Sequence, residues 1–332
     1  MKNLMNATLA ALAILALPVL SFAEGKSIYG GDNRLNYYEA AATMQTMANS
    51  VVSLWRSYKL TDSGSNYTLT TRTLREAKGL CPGEKFENEK VGAFCSGSLV
   101  GEDLIMTAGH CITDQAACDG TRFVFGFKVD AAGGTGPGTV AKSEVYSCKS
   151  IVTRYLSGED GTSPQLGADY ALVKLDRKVT GHTPLKINRS GSISVGTKLF
   201  VIGHPSGLPV KVAAESKVRS ASQTGYFVAD LDTFGGNSGS AVFNLRTKKI
   251  EGILVRGDED YIPTPAGCNT VAVFDQAGGR GEDVTKISAL SAHIPRLPGE
   301  KNEDLELFAP RPYVAPADNP RVAPPVIPVN PF

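Results

Sequence analysis

Between residues 50 and 274 this chain is a succession of short β-rich runs, each cut off by Gly, Asn, Asp or Pro before it reaches helical length. The first set occupies 51–54, 67–71, 97–100, 104–107, 123–129, 144–152 and 170–175. The second occupies 198–202, 210–214, 226–230, 241–243, 250–254 and 270–274. Strands at this spacing bury their apolar faces by pairing across turns, so the pattern points to an antiparallel sandwich or barrel. Residues 176–196 carry Gly181, Pro184, Gly191 and Gly196 and read as a crossover between two β units. Helical patterning is confined to 38–47 and 283–294. At 332 residues there is room for one large domain or two modest ones.

The ends differ from the middle. Lys2, an apolar run over 9–20 and the small-x-small triplet Ser21-Phe22-Ala23 read as a secretory signal peptide cut after Ala23. The run is too short for a membrane span, which needs about 20 residues. Residues 24–48 read as an N-terminal segment or propeptide. The last stretch, 296–332, is rich in proline from Pro298 to Pro331 and reads as an extended tail without a core. Charge is balanced at 34 basic and 33 acidic residues, which argues against nucleic acid or an anionic membrane as the main partner. Export places the six cysteines, Cys81, Cys95, Cys111, Cys118, Cys148 and Cys268, in an oxidising compartment as up to three disulfides. The spacings lack the paired ligands of a zinc site, and the run Gly133 to Gly138 lacks the Lys-Ser/Thr ending of a phosphate loop. No cofactor is implied. Asp258, Glu259 and Asp260 read as a solvated acidic loop rather than a calcium site.

Three blocks carry chemistry. Thr107-Ala108-Gly109-His110-Cys111 follows a strand; Ala168-Asp169-Tyr170-Ala171-Leu172 opens one; Asp232-Thr233-Phe234-Gly235-Gly236-Asn237-Ser238-Gly239 packs glycines around a serine. A serine hydroxyl is a weak nucleophile until a base lies within hydrogen-bond reach and an acid orients that base. Of the four histidines, His110, His182, His204 and His293, only His110 sits at a strand end beside a cysteine able to hold its loop. Gly235, Gly236 and Gly239 allow the sharp turn that aims the Gly236 and Ser238 amides at an oxyanion.

These blocks, in the order His, Asp, Ser, resemble those of the trypsin-like serine peptidases. The resemblance covers about residues 50–294. It implies an all-β chain of two antiparallel six-stranded barrels packed perpendicular, barrel one over 49–176 and barrel two over 193–282, with a C-terminal helix at 283–294. The active site would lie between the barrels. By the same resemblance Ser238 is the nucleophile, His110 the base and then acid, and Asp169 the orienting acid, with Asp176 as its rival. Cys95 and Cys111 flank the His loop as in the family, and a bridge there would contribute roughly 3 kcal/mol in the chain-entropy model. Cys118 with Cys148 and Cys81 with Cys268 is the preferred pairing of the rest. The implied substrates are proteins or peptides.

The chain also departs from the family. The residue before the nucleophile is Asn237, where animal trypsins carry an Asp that pairs with a new N-terminus. Ile28-Tyr29-Gly30-Gly31 looks like such a terminus but lies too far upstream of His110, and reads as coincidence. Gly-Asn-Ser-Gly-Ser is more like the bacterial branch that includes the glutamyl endopeptidases. Asp232, six residues before Ser238, would favour Arg or Lys at P1. Arg256, beside Gly257 on the expected pocket wall, is a candidate to pair with Asp232 and cancel its charge. Thr233 matches the glutamyl type, but Leu254 stands where those enzymes place a His. A catalytically silent binding protein on the same scaffold is the alternative reading.

Overall fold

The computed structural model describes residues 27–157 and 167–300. The leader expected at 1–23 and all but the first residues of the tail expected at 296–332 lie outside them. Six strands close the first barrel: β1 (Val51–Arg56), β2 (Cys95–Gly101), β3 (Leu104–Thr107), β4 (Thr121–Val124), β5 (Val145–Leu156) and β6 (Asp169–Leu175). Around the ring the order is β1, β4, β5, β6, β3, β2, and every pairing is antiparallel. β5 is the longest strand, and two register shifts against β6 bend it around the barrel. Closure leaves no unpaired edge, so each strand satisfies its backbone on both sides. Leu54, Leu99, Ile105, Phe123, Tyr146 and Val173 fill the interior, each aliphatic or aromatic burial contributing about 1.5–3 kcal/mol.

The second barrel uses β7 (Lys198–Gly203), β8 (Lys211–Ser220), β9 (Tyr226–Ala229), β10 (Ala241–Asn244), β11 (Ile250–Arg256) and β12 (Glu282–Lys286). The order is β7, β10, β11, β12, β9, β8, and a further β7–β8 pairing closes the ring. Leu199, Val201, Phe227, Leu231, Val242, Leu254 and Val284 form its interior.

Residues 283–294 are not a helix. They supply β12 and then two short 3-10 turns, Ile287–Ala289 and Ser291–His293. The helical spacing of Val284, Ile287, Leu290 and Ile294 is met in another way. Val284 enters the barrel-two interior, while the other three pack into the larger cluster that joins both barrels. The strand also gives β9 and β11 a shared neighbour on both edges, a gain that overrides local helix preference. The helix expected at 38–47 is a 3-10 turn, Tyr37–Glu39, followed by Ala42–Ala48.

The N-terminal segment is woven into the second barrel. Ile28–Tyr29 pairs in parallel with Val273–Phe274, and Arg34–Asn36 adds to β8. Ile28, Tyr29 and Arg34 are buried. An insertion between β1 and β2 carries the Leu60–Ser63 and Asn66–Leu69 hairpin. It also carries the helix Leu74–Lys78, capped by Thr73 and Glu76 and stopped at Gly79 in the left-handed region. Disulfides join Cys95 to Cys111, Cys118 to Cys148, and Cys81 to Cys268. Among the described residues no helix is long and apolar enough to cross a membrane.

His204, at the end of β7, is buried with its Nδ1 2.9 Å from Leu208 O, its ring stacked on Phe127. Burial holds its pKa down to about 3, so the folded state keeps it neutral with Nδ1–H donating. The unfolded chain takes up a proton near pH 6.5 that the fold refuses until about 3. The stability tied to this group is therefore complete above pH 6.5 and is lost as pH falls through that window, by roughly 5 kcal/mol in all. His204→Gln, which keeps a donor for Leu208 and does not titrate, should flatten the acid limb of the unfolding midpoint measured between pH 6.5 and 4; an unchanged limb would refute this origin.

Candidate active site

His110 leaves β3 through a turn that only glycine fits. A Cβ on Gly109 would stand 2.4 Å from Tyr155 O and 2.9 Å from Tyr170 O. Asp169, the first residue of β6, is 1% exposed and meets this turn head on. Its Oδ1 accepts from the Gly109 amide at 2.6 Å and the His110 amide at 3.2 Å, and its Oδ2 lies 2.7 Å from His110 Nδ1. Both oxygens are thus committed, and the imidazole is held with Nε2 as the acceptor nitrogen. Arg154 Nε donates to Gly109 O at 2.9 Å. The backbone of Asp169 is tied to barrel two: its N–H donates to Thr285 Oγ1 and its carbonyl accepts from the same hydroxyl, each at 2.9 Å. The rival acid Asp176 is elsewhere, accepting from the Ser147 amide and pairing with Arg177.

Ser238 sits in the loop between β9 and β10, which packs directly on the His110 turn. A Cβ on Gly239 would stand 2.1 Å from Ser96 O, 2.3 Å from Thr107 Oγ1 and 3.0 Å from Ala108 N. Ser96 N–H donates to Ser238 O at 2.9 Å, and Ser238 Oγ lies 3.4 Å from Val255 O. Gly236 and Gly239 adopt φ of +91° and +90°, a region glycine enters without strain. The Gly235 carbonyl accepts from Ser206 N–H at 2.5 Å. The peptide is trans, so the Gly236 N–H points away from Ser206. The Gly236 carbonyl is fixed by Ser96 Oγ at 2.8 Å. Gly235 N–H donates to both oxygens of Asp260, at 3.0 and 2.9 Å. Asp260 therefore braces the Ser238 loop rather than standing in a solvated acidic loop, and sequence reasoning did not see that role.

The expected specificity pocket is rearranged. Asp232 is 1% exposed, and its oxygens accept from the amides of Tyr29 at 2.8 Å and Asn33 at 3.0 Å. Burial pushes its pKa up to about 6, against the pull of those two amides. Arg256 does not reach Asp232. It lies opposite Asp283 across β11 and β12, donates to Asp283 Oδ2 at 3.1 Å and reaches Gly167 O at 2.6 Å. Leu254 points into the barrel-two interior. Thr233 Oγ1 donates to Glu282 Oε2 at 2.8 Å, and a Cβ on Gly257 would stand only 2.2–2.5 Å from the Glu282 carboxylate. Glu282 therefore lies between Thr233 and Gly257, two residues expected to line the pocket. It was missed because residues 283–286, the rest of its strand, fall in the stretch 283–294 that carries a helical pattern. The side chains of Cys95, His110 and Cys111 converge, but both sulfurs are spent in a disulfide and offer a metal no thiolate.

Residues 95–253 match the family model of the trypsin-like peptidase domain. The secreted RxLR effector protein 73 of Plasmopara viticola is 31% identical over 167 residues, covering 46% of this chain and 38% of that protein. The glutamyl endopeptidase of Bacillus licheniformis is 32% identical over 164 residues, covering 47% and 46%. The chain spans less than half the length of these curated relatives. Among solved structures, a Glu endopeptidase in complex with MPD aligns at TM-score 0.46 and 17% identity over 80% of this chain and 96% of that one. The VesB protease of Vibrio cholerae aligns at 0.46 and 16% over 79% and 66%. The span that matches the trypsin-like peptidase domain, residues 95–253, holds His110, Asp169 and Ser238 in that order.

Proposed function

We propose that this protein is a secreted serine endopeptidase acting on proteins or peptides through an acyl-enzyme, with His110, Asp169 and Ser238 as its triad. The observation that carries the reading is the Asp169 clamp, which holds both the backbone and Nδ1 of His110. Ser238 Oγ attacks the scissile carbonyl while His110 Nε2 takes its proton. The developing oxyanion is received by the Gly236 and Ser238 amides. His110 then returns the proton to the leaving amine, and water repeats the sequence on the acyl-enzyme. Asp169 orients His110 and stabilises the imidazolium. Export is supported by the leader pattern at 1–23 and by three disulfides. An active-site phosphonate should label the purified protein, and Ser238→Ala should abolish labelling and lower turnover about a million-fold. Absence of labelling would leave the catalytically silent reading.

For P1 the same proposal extends to Arg or Lys. Two buried carboxylates, Asp232 and Glu282, stand around the pocket base. Asp232 accepts from two backbone amides, and Glu282 accepts from the Thr233 and Tyr29 hydroxyls and the Ser27 amide. Arg280 is engaged by Asp283 at 2.8 Å. A P1 Glu would add a third carboxylate to this site, whereas a basic side chain would neutralise one. Glu282, which meets both Thr233 and the backbone at Gly257, is the acid we assign to reading the substrate. On peptides varied only at P1 among Arg, Lys, Glu, Phe, Leu and Ala, Arg and Lys should lead. Glu282→Gln should cut kcat/KM for Arg about 100-fold, equivalent to ~3 kcal/mol, with little change for Ala. Preference for Glu, or an Arg rate untouched by Glu282→Gln, would remove this assignment.

A further inference from the structure

We infer that residues 27–36 form a permanent strap that positions the nucleophile loop, with Arg34 as its central positioning residue. The inference rests on the serine endopeptidase reading above. Three successive loop residues are each held by the strap. Asp232 takes the Tyr29 and Asn33 amides on its two oxygens. Thr233 N–H donates to Ser27 O at 3.2 Å. Phe234 lies under the Arg34 guanidinium, 4.1 Å from ring centroid to Cζ. The guanidinium is 1% exposed and flanked on Phe86 at 5.3 Å. Asp32 grips it in a two-point pair, at 2.9 Å to Nε and 2.6 Å to Nη2. A buried cation stacked between rings and fixed by a bidentate acid is a rigid support, not a solvated surface charge.

The strap is itself anchored at both ends, by Ile28–Tyr29 on Val273–Phe274 and by Arg34–Asn36 on β8. Lys85 Nζ adds a bond to Arg34 O at 2.5 Å. Asn237, the residue before the nucleophile, is satisfied locally, its Oδ1 accepting from Ser240 Oγ at 3.1 Å. An ammonium has no acid to pair with at that position. The donors that fix Asp232 are internal amides, and they exist without any cut in the chain between 27 and 36. Processing within this span would remove support from the loop, so residues 27–36 belong to the active protein and are not a discarded propeptide. The loop carries both the hydroxyl and the amides that must meet the reacting carbonyl, and displacements near 1 Å there cost about 100-fold in rate.

The test uses the full secreted chain. Intact mass of the species that reacts with an active-site phosphonate should place its N-terminus at or before Ser27; an active species beginning after Asn36 overturns the strap. In parallel, Arg34→Ala should lower kcat on an Arg-P1 peptide about 100-fold with KM within about threefold. Phosphonate labelling should slow by the same factor, and Arg34→Lys should recover part of both. Trp55→Phe, in barrel one away from the loop, serves as a control for lost stability alone and should leave kcat unchanged. A wild-type kcat in folded Arg34→Ala, or an equal fall in Trp55→Phe, refutes a positioning role. If Arg34→Ala does not fold, the N-terminal mass still decides. An inactive, unlabelled wild-type protein would instead defeat the peptidase reading itself.

Discussion

Asp169 is the joint on which the two halves of the site depend. Its carboxylate is almost wholly removed from water, an arrangement that is costly for an anion unless every lone pair is used. Here the side chain takes two backbone amides and an imidazole nitrogen, while the backbone of the same residue exchanges two hydrogen bonds with Thr285 of the other barrel. One residue thus fixes the His110 turn and sets it against β12. The glycine at 109 is the counterpart of this closeness: any side chain there would collide with the carbonyls of Tyr155 and Tyr170. A strand start on barrel one, a turn without a Cβ and a threonine on barrel two are required together, and none works without the others.

The same device recurs around Ser238. Asp232 collects the amides of the N-terminal segment, and Asp260 collects the amide of Gly235. Each carboxylate sits where irregular backbone leaves N–H groups without a strand partner, and each satisfies them in a medium where such bonds are strong. The balance differs between sites. At Asp232 the cost of burial exceeds the pull of its two amides, so its pKa rises to about 6.

What the sequence disclosed, and what it hid, follows from the range over which each feature acts. The Gly109, Gly236 and Gly239 positions are local statements about backbone shape, and their crowding around His110 and Ser238 is visible in a few adjacent letters. The alternation of short strands is equally local, and it marks both barrels. The segment 283–294 misleads because its apolar spacing serves two clusters rather than one helix face. That single error conceals two more. Arg256 finds its partner in Asp283 only through the β11–β12 register, and Glu282 meets Thr233 and Gly257 only as part of the same strand. The role of Arg34 was also hidden, since a buried arginine depends on Phe86, Phe234 and Asp32, and only Asp32 is near in sequence.

The two barrels therefore solve different problems. Barrel one presents Asp169 from the ladder-bonded start of β6 and His110 from a turn just past β3 whose amides the Asp169 carboxylate fixes. Barrel two presents Ser238 from a loop whose residues 232–236 have no ladder. Their order comes from four separate segments: Ser27 to Arg34, Ser96, Ser206 and Asp260. Amides that are to receive an oxyanion must be fixed before the charge forms, because reorganising them during the reaction would return the advantage to water. A loop can meet that demand only if its surroundings supply the rigidity that a strand would have had, and the contacts converging on residues 232–236 are that supply.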